Sequence, residues 1–248
     1  MSTSAPAGTA ITADLPPFLS LLSRAWATLR RPRAAMTAAV ARPRPQGMLV
    51  FLTLLTVGPG TLLMTTGVGR QALVDEWERT AAAFGRDVGE AGYAQLHRRS
   101  RHAPWWAAGR GLLVGPILAS GIAAGLHLTL GRRTDRARPF ATALAVATHA
   151  GMPLAVRELL GAPVNYMRES TTNVFTLGSW VPSLDIASPP ARLLGALDLF
   201  GVWTALLIAL GASIAYQRRF RTLAAVTLGI YGGLGLLVAL VLWIASGA

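Results

Sequence analysis

The sequence predicts an all-α integral membrane bundle. It reads as five transmembrane helices, N-terminus cytoplasmic and C-terminus outside, with amphipathic helices before span one and between spans one and two. Three observations predict this. The 248-residue chain is 52% apolar and only 14% charged, against about 25% charged in a soluble domain. Its apolar residues gather in long uncharged runs, each close to the ~20 residues that cross hydrocarbon as a helix. Its 23 basic residues are all arginine and bracket those runs, which is how topology is encoded. A basic nucleic-acid domain would instead cluster them on one surface, so nucleic acid is not an expected partner. Such hydrophobicity excludes a disordered chain. The lack of cysteine excludes disulfides, thiolate chemistry and Cys-ligated zinc.

The elements follow in chain order. Residues 1–14 are Ser, Thr, Ala and Gly-rich and are expected to be a mobile tail. Residues 15–44 form a cytoplasmic amphipathic segment. Its apolar stretch, Leu15 to Leu29, is too short and too interrupted by Pro16, Pro17, Ser20, Ser23 and Arg24 to read as a secretory signal. Phe18, Leu19, Leu21, Leu22, Ala25, Trp26 and Leu29 give it an apolar side, closed by Arg30, Arg31 and Arg33. Apolar burial plus arginine attraction to anionic lipid makes Trp26, Arg30, Arg31 and Arg33 an expected membrane-surface contact. Pro32 should end or bend that helix.

Residues 45–248 form the membrane domain, with spans at about 45–69, 111–131, 139–156, 194–217 and 222–246. The runs lack the alternation of barrel strands, so helices are the remaining way to satisfy the backbone in lipid. Arginines set the orientation. Arg42 and Arg44 precede span one, Arg132, Arg133, Arg136 and Arg138 fill the second link, and Arg218, Arg219 and Arg221 fill the fourth. Short basic links stay in the cytoplasm. The link 157–192 is sparse in arginine and falls outside, as an ordered loop with short helical turns. The link 70–110 also falls outside although it is arginine-rich. It carries five acids, Asp75, Glu76, Glu78, Asp87 and Glu90, and its length lessens its weight.

Within that link, an outer insert at 71–106 repeats Leu73, Trp77, Ala81, Phe84, Val88 and Ala91 at helical spacing. Trp105 and Trp106 stand before span two, where a Trp pair reads as an interfacial anchor. Trp77, Phe84, Trp105 and Trp106 are therefore expected to meet either the outer leaflet or a partner subunit. His97 and His102 are five residues apart, which does not align two metal ligands on a helix.

Ionisable residues inside spans are costly, so His127, His149, Arg157, Glu158 and Asp198 stand out. At about 1.5 Å per residue, Arg157 lies roughly 27 Å and Asp198 roughly 28 Å from the inner ends of their spans. The matched depths predict a structural Arg157–Asp198 ion pair at the outer rim. His127 and His149 differ by roughly 9 Å on the same count. They are expected to be intramembrane polar groups satisfied by neighbouring helices, without a shared metal or haem. Gly111/Gly115, Gly121/Gly125 and Gly229/Gly233 form small-xxx-small pairs that permit close helix approach. No P-loop, nucleophile elbow, zinc motif or paired catalytic carboxylates occurs. Neither an enzyme nor a cofactor is expected.

Residues 20–248 resemble the Yip family of five-span membrane proteins, bacterial branch. Arg31-Pro32-Arg33-Ala34-Ala35-Met36 is similar to the family's Pro-Arg-Ala-aromatic turn. Ala147-Thr148-His149-Ala150-Gly151-Met152-Pro153 is similar to its Ala-Tyr-Ser-x-x-Pro segment. Leu197-Asp198-Leu199-Phe200-Gly201-Val202-Trp203, followed by Gly211, is similar to its Leu-Asp-Leu-Phe-x-x-Trp segment. The chain departs from the family at His149 and in the long charged link Gln71–Trp106. It also lacks the Asp-Leu-Tyr-Gly-Pro motif of the eukaryotic branch, which engages Rab-type GTPases. The resemblance implies a non-catalytic membrane protein of a family that organises vesicle traffic in eukaryotes. The expectation is an adaptor, scaffold or membrane organiser of the bacterial cytoplasmic (inner) membrane, with the lipid bilayer and other membrane proteins as partners. The alternative is an accessory structural subunit of a larger membrane complex. A third reading is a transporter or channel component using His127, His149 and Asp198.

Overall fold

The computed structural model describes residues 17–131, 139–181 and 189–245. The tail expected at 1–14 and the Arg132–Arg138 link lie outside the described residues. The rest is helical: α1 (Pro17–Arg30), α2 (Pro32–Ala41), α3 (Pro45–Thr65), α4 (Gly67–Ala83), α5 (Glu90–Ser100), α6 (Ala103–Leu130), α7 (Phe140–Ala150), α8 (Met152–Met167), α9 (Pro189–Ala196), α10 (Leu199–Tyr216) and α11 (Phe220–Ala245). A 3-10 turn at Leu177–Trp180 lies in the α8–α9 link.

Among the described residues, four helices are long and apolar enough to cross a membrane: α3, α6, α10 and the Phe220–Val241 part of α11. Over the expected third span, the chain forms two shorter helices, α7 and α8, that meet at Gly151. Two residues cause the break. Pro153 has no N–H to give the carbonyl four residues back, so the helical ladder loses a rung there. Gly151 lies against α3, where a Cβ would stand 2.7 Å from Leu52 Cδ2. Gly151 itself keeps right-handed helical angles, φ −74° and ψ −7°, so the join is a bend between two helical segments.

The core sits where α7 and α10 run through the middle. Thr142 and Ala143, and then every residue from Ala145 to Ala150, are buried. The most apolar stretch of α10 is 56% buried, against 11% for α6 and 17% for α11. Small side chains permit this closeness: Ala119 and Ala123 of α6 pack on Ala143 and Ala147 of α7. Met36 of α2 inserts against Ala150 and Leu207, and Val40 joins Val146, Ala212, Ala215 and Tyr216. The glycine pairs fare unevenly. Gly111 sits on Val57 and Gly115 faces Thr53, but Gly121, Gly125, Gly229 and Gly233 meet nothing within 4 Å.

The outward faces of α6 and α11 are apolar and uncovered. Leu113, Ile117, Ile230, Leu234, Leu237 and Ile244 are each more than half exposed. Exposed apolar helix faces of this kind are unfavourable in water and are what a lipid-facing surface requires.

The insert departs from its expected single helical face. That face ran from Leu73 through Phe84 to Ala91, but α4 stops at Ala83 and α5 starts at Glu90. The stop is a Schellman cap. Gly85 takes φ +68°, its N–H donates to Ala82 O, and the Arg86 N–H donates to Ala81 O. Only glycine adopts that angle without cost. Gly85→Ala is expected to weaken the cap by about 1 kcal/mol, which hydrogen exchange would detect as faster exchange of the last α4 amides.

Candidate functional site

The polar centre of the bundle is built where α8, α10 and α11 meet. Asp198 is the N-cap of α10: its Oδ1 accepts from the Gly201 N–H at 2.7 Å. Asp is among the best residues for that task, because its carboxylate satisfies an otherwise orphaned helix donor. Oδ2 accepts from Arg157 Nη1 at 2.9 Å. Arg157 also donates from Nη2 and Nε to Glu158 Oε1, at 2.8 and 3.2 Å. The backbone N–H of Asp198 donates to the Tyr231 hydroxyl at 2.9 Å. Tyr231 stands near the midpoint of α11. Gly201 is required there because the Tyr231 hydroxyl fills the place of a Cβ.

The preceding loop closes over this centre. Leu177 N–H donates to Leu197 O at 2.8 Å and Leu199 N–H to Phe175 O at 3.2 Å, an antiparallel bridge between Thr176 and Asp198. Phe175 meets Phe200 edge-on at 5.1 Å. Side-chain exposure is 11% for Asp198 and 28% for Arg157. Both carboxylate oxygens of Asp198 are therefore engaged and largely shielded. Chemically this is a staple joining three helices and a loop.

Arg157 and Asp198 are thus brought together, while His127 and His149 make separate contacts. His149 Nδ1 donates to Ala145 O at 2.8 Å within α7. His127 meets Phe140 edge-on at 6.1 Å, and its buried Nδ1 has no partner among the described residues. No group of three or more His, Asp or Glu with metal-binding geometry occurs among the described residues. Tyr231, whose phenol is neutral at pH 7, and Gly201 fall outside the intramembrane residues read from the sequence. A lone tyrosine in an otherwise apolar run was the clue available for the first.

The surface residues lie at two ends. Pro32 starts α2 directly after Arg31, so α1 ends where the arginines begin. One side of α1 packs through Leu21, Ala25 and Leu29 on Met48, Phe51, Leu52 and Met152. The other leaves Phe18, Leu22 and Trp26 exposed, with the Arg30 guanidinium over the Trp26 ring at 5.0 Å. Arg31 and Arg33 are exposed. At the other end, Trp105 and Trp106 are 80% and 75% exposed on the first turn of α6. Trp77 is half-buried under Arg99, 5.9 Å from its ring, and Phe84 caps α4 in an exposed position.

Long apolar helices with uncovered faces, pinned by a shielded ion pair, define a polytopic helical membrane protein. A Yip1 domain model matches residues 26–243, and the chain belongs to that family. The family is associated with membrane trafficking and is generally not enzymatic. Comparison with curated proteins and with solved structures finds no match.

Proposed function

We propose that this chain is a non-catalytic membrane protein that works by association, as an adaptor, scaffold or membrane organiser. The observation that carries this is the division of roles between inside and outside. The charged centre at Arg157 and Asp198 is consumed by internal contacts, whereas Trp26, Trp105 and Trp106 are offered outward. Aromatic residues exposed at the ends of spans suit lipid interfaces and protein partners. In this reading Trp26, Arg30, Arg31 and Arg33 hold α1 on the cytoplasmic surface, and Trp77, Phe84, Trp105 and Trp106 meet a partner or the outer leaflet. Extraction of the full chain from its native membrane in mild detergent, with sizing and mass spectrometry, tests it. The expected result is a co-purifying membrane protein. A lone chain with measurable solute flux in proteoliposomes would contradict it.

We also propose five crossings, with α7 and α8 together making the third, in a bacterial cytoplasmic membrane. The arginine pattern supports a cytoplasmic N-terminus, and Phe140–Met167 supplies enough helix to cross despite the bend at Gly151. The chain has no cysteine, so single introduced thiols report cleanly. Ser170→Cys is expected to react with an impermeant maleimide from outside the cell, and Thr37→Cys only after permeabilisation. The reverse pattern would invert the topology.

The α4–α5 insert favours a second reading, an accessory subunit seated on a larger complex through residues 71–106. A fixed stoichiometry with large subunits in the same extraction would support it.

A further inference from the structure

We infer that the α4–α5 insert holds a binding cleft for the phosphodiester headgroup of an anionic phospholipid. The cleft is open to one side and has a volume of about 860 Å³, within the range of small-molecule sites (about 300–1,000 Å³). Arg70 enters from α4, and His97, Arg98 and Arg101 from the end of α5. Among the described residues none of the three arginines is ion-paired: the described salt bridges are those of Arg79 and Arg157. Arg70 spends one donor on Thr65 O at 2.6 Å and keeps the others. Of the three acids on the same helix, Asp75 is held by Gln71 Nε2 at 2.7 Å and Glu76 by Arg79 at 2.7 Å, and neither these two nor Glu78 lines the cleft.

The walls are fixed. Gln71 Nε2 also donates to the Tyr93 hydroxyl at 2.9 Å, which ties α4 to α5, and Arg99 lies over Trp77 on the side away from the cleft lining. The residue types suit the ligand, since guanidinium groups bind phosphate oxygens as planar forks.

Position identifies the source of the phosphate. Arg101 stands four residues before Trp105, across the turn that joins α5 to α6, so the cleft adjoins in sequence the exposed Trp pair. That pair opens α6, a helix long and apolar enough to span, and such tryptophans sit at headgroup level. The cleft therefore opens where headgroups are dense. The same feature accounts for an arginine-rich segment on the side where the other link, 157–192, is arginine-poor: these arginines bind a ligand in place of marking topology.

Native mass spectrometry of the full chain in mild detergent tests the inference, with phosphatidylglycerol, phosphatidylcholine and inorganic phosphate as probes. Phosphatidylglycerol is expected to bind at least about tenfold more tightly than phosphatidylcholine, and R98Q/R101Q to remove that preference. R98K/R101K, which keeps the charge, should retain most of it. R30Q/R31Q should leave the R98Q/R101Q-sensitive binding intact. Equal binding of the two lipids, or a preference that survives R98Q/R101Q with normal thermal unfolding, would overturn the inference. Displacement of the lipid by millimolar inorganic phosphate would overturn the lipid source and assign the cleft to a soluble anion. If R98Q/R101Q fails to fold, R101Q alone is read against R101K, with loss expected only in the former.

Discussion

Asp198→Ala is expected to destabilise the folded chain by about 3 kcal/mol, a large part of a typical folding free energy. The substitution removes two contacts at once. It leaves the first turn of α10 without the acceptor now used by the Gly201 N–H, which costs about 1 kcal/mol. It also strips Arg157 of the carboxylate at 2.9 Å, in a site where that side chain is 28% exposed. Glu158 remains to hold the guanidinium, so the loss falls at the low end for a broken buried pair. Asp198→Asn separates the two parts. Asparagine caps as well as aspartate, so the cap survives and the charge contact does not. In a double-mutant cycle with Arg157→Leu, measured by unfolding in mixed detergent, the two positions should be strongly non-additive. Additive losses would remove the pair as a staple.

Gly211→Leu is expected to be at least as damaging, at about 3 kcal/mol or more. Gly211 lies on α10 at its crossing with α7 and α2. Its added Cβ would stand 2.5 Å from Val146 Cγ1 and 3.1 Å from Met36 Sδ, both in fully buried side chains. The helices must separate to admit it, which undoes the close packing of the centre. Gly211→Ala should cost about 2 kcal/mol, and Val146→Ala in the same chain should recover part of that by vacating the space. Gly125→Ala and Gly233→Ala provide the contrast. Nothing lies within 4 Å of their positions, and alanine is the better helix former by about 1 kcal/mol, so both should be neutral or slightly stabilising.

This contrast marks how far the sequence could be read. The Gly-xxx-Gly spacing is blind to direction: Gly111 and Gly115 face neighbours, while Gly121 and Gly229 face outward. The interface between α6 and α7 is carried by Ala119, Ala123, Ala143 and Ala147 instead, in an alanine-rich chain where no single alanine stands out. Uncharged run length located the four long apolar helices, because hydrocarbon sets a length that the sequence must match, but the run at 139–156 is two shorter helices. Run length did not locate the ends of the long helices. The run at 45–69 passes through the Thr66 cap that ends α3, and the one entered near residue 194 passes through Asp198, where α10 begins.

Helical periodicity overran the insert for a related reason. The spacing of Leu73 to Ala91 persists across Gly85, but the left-handed turn there reverses what periodicity assumes. In the polar centre, Arg157 and Asp198 were legible from depth counting, since two charges in apolar surroundings must find one another. Tyr231 was not, because it engages a backbone N–H and backbone donors have no sequence signature.

We propose that this chain acts through its outward surfaces while its charged centre serves the fold. Photo-crosslinking in intact native membranes tests it most directly, with a photoreactive amino acid placed in turn at Trp77, Phe84, Trp105 and Trp26, and at buried Val146 as the control. Discrete protein adducts are expected from at least one surface position, none from Val146, and the adducts should persist in Asp198→Asn. Surface positions that yield only lipid adducts, together with solute transport abolished by Asp198→Asn in a chain that still folds, would contradict it.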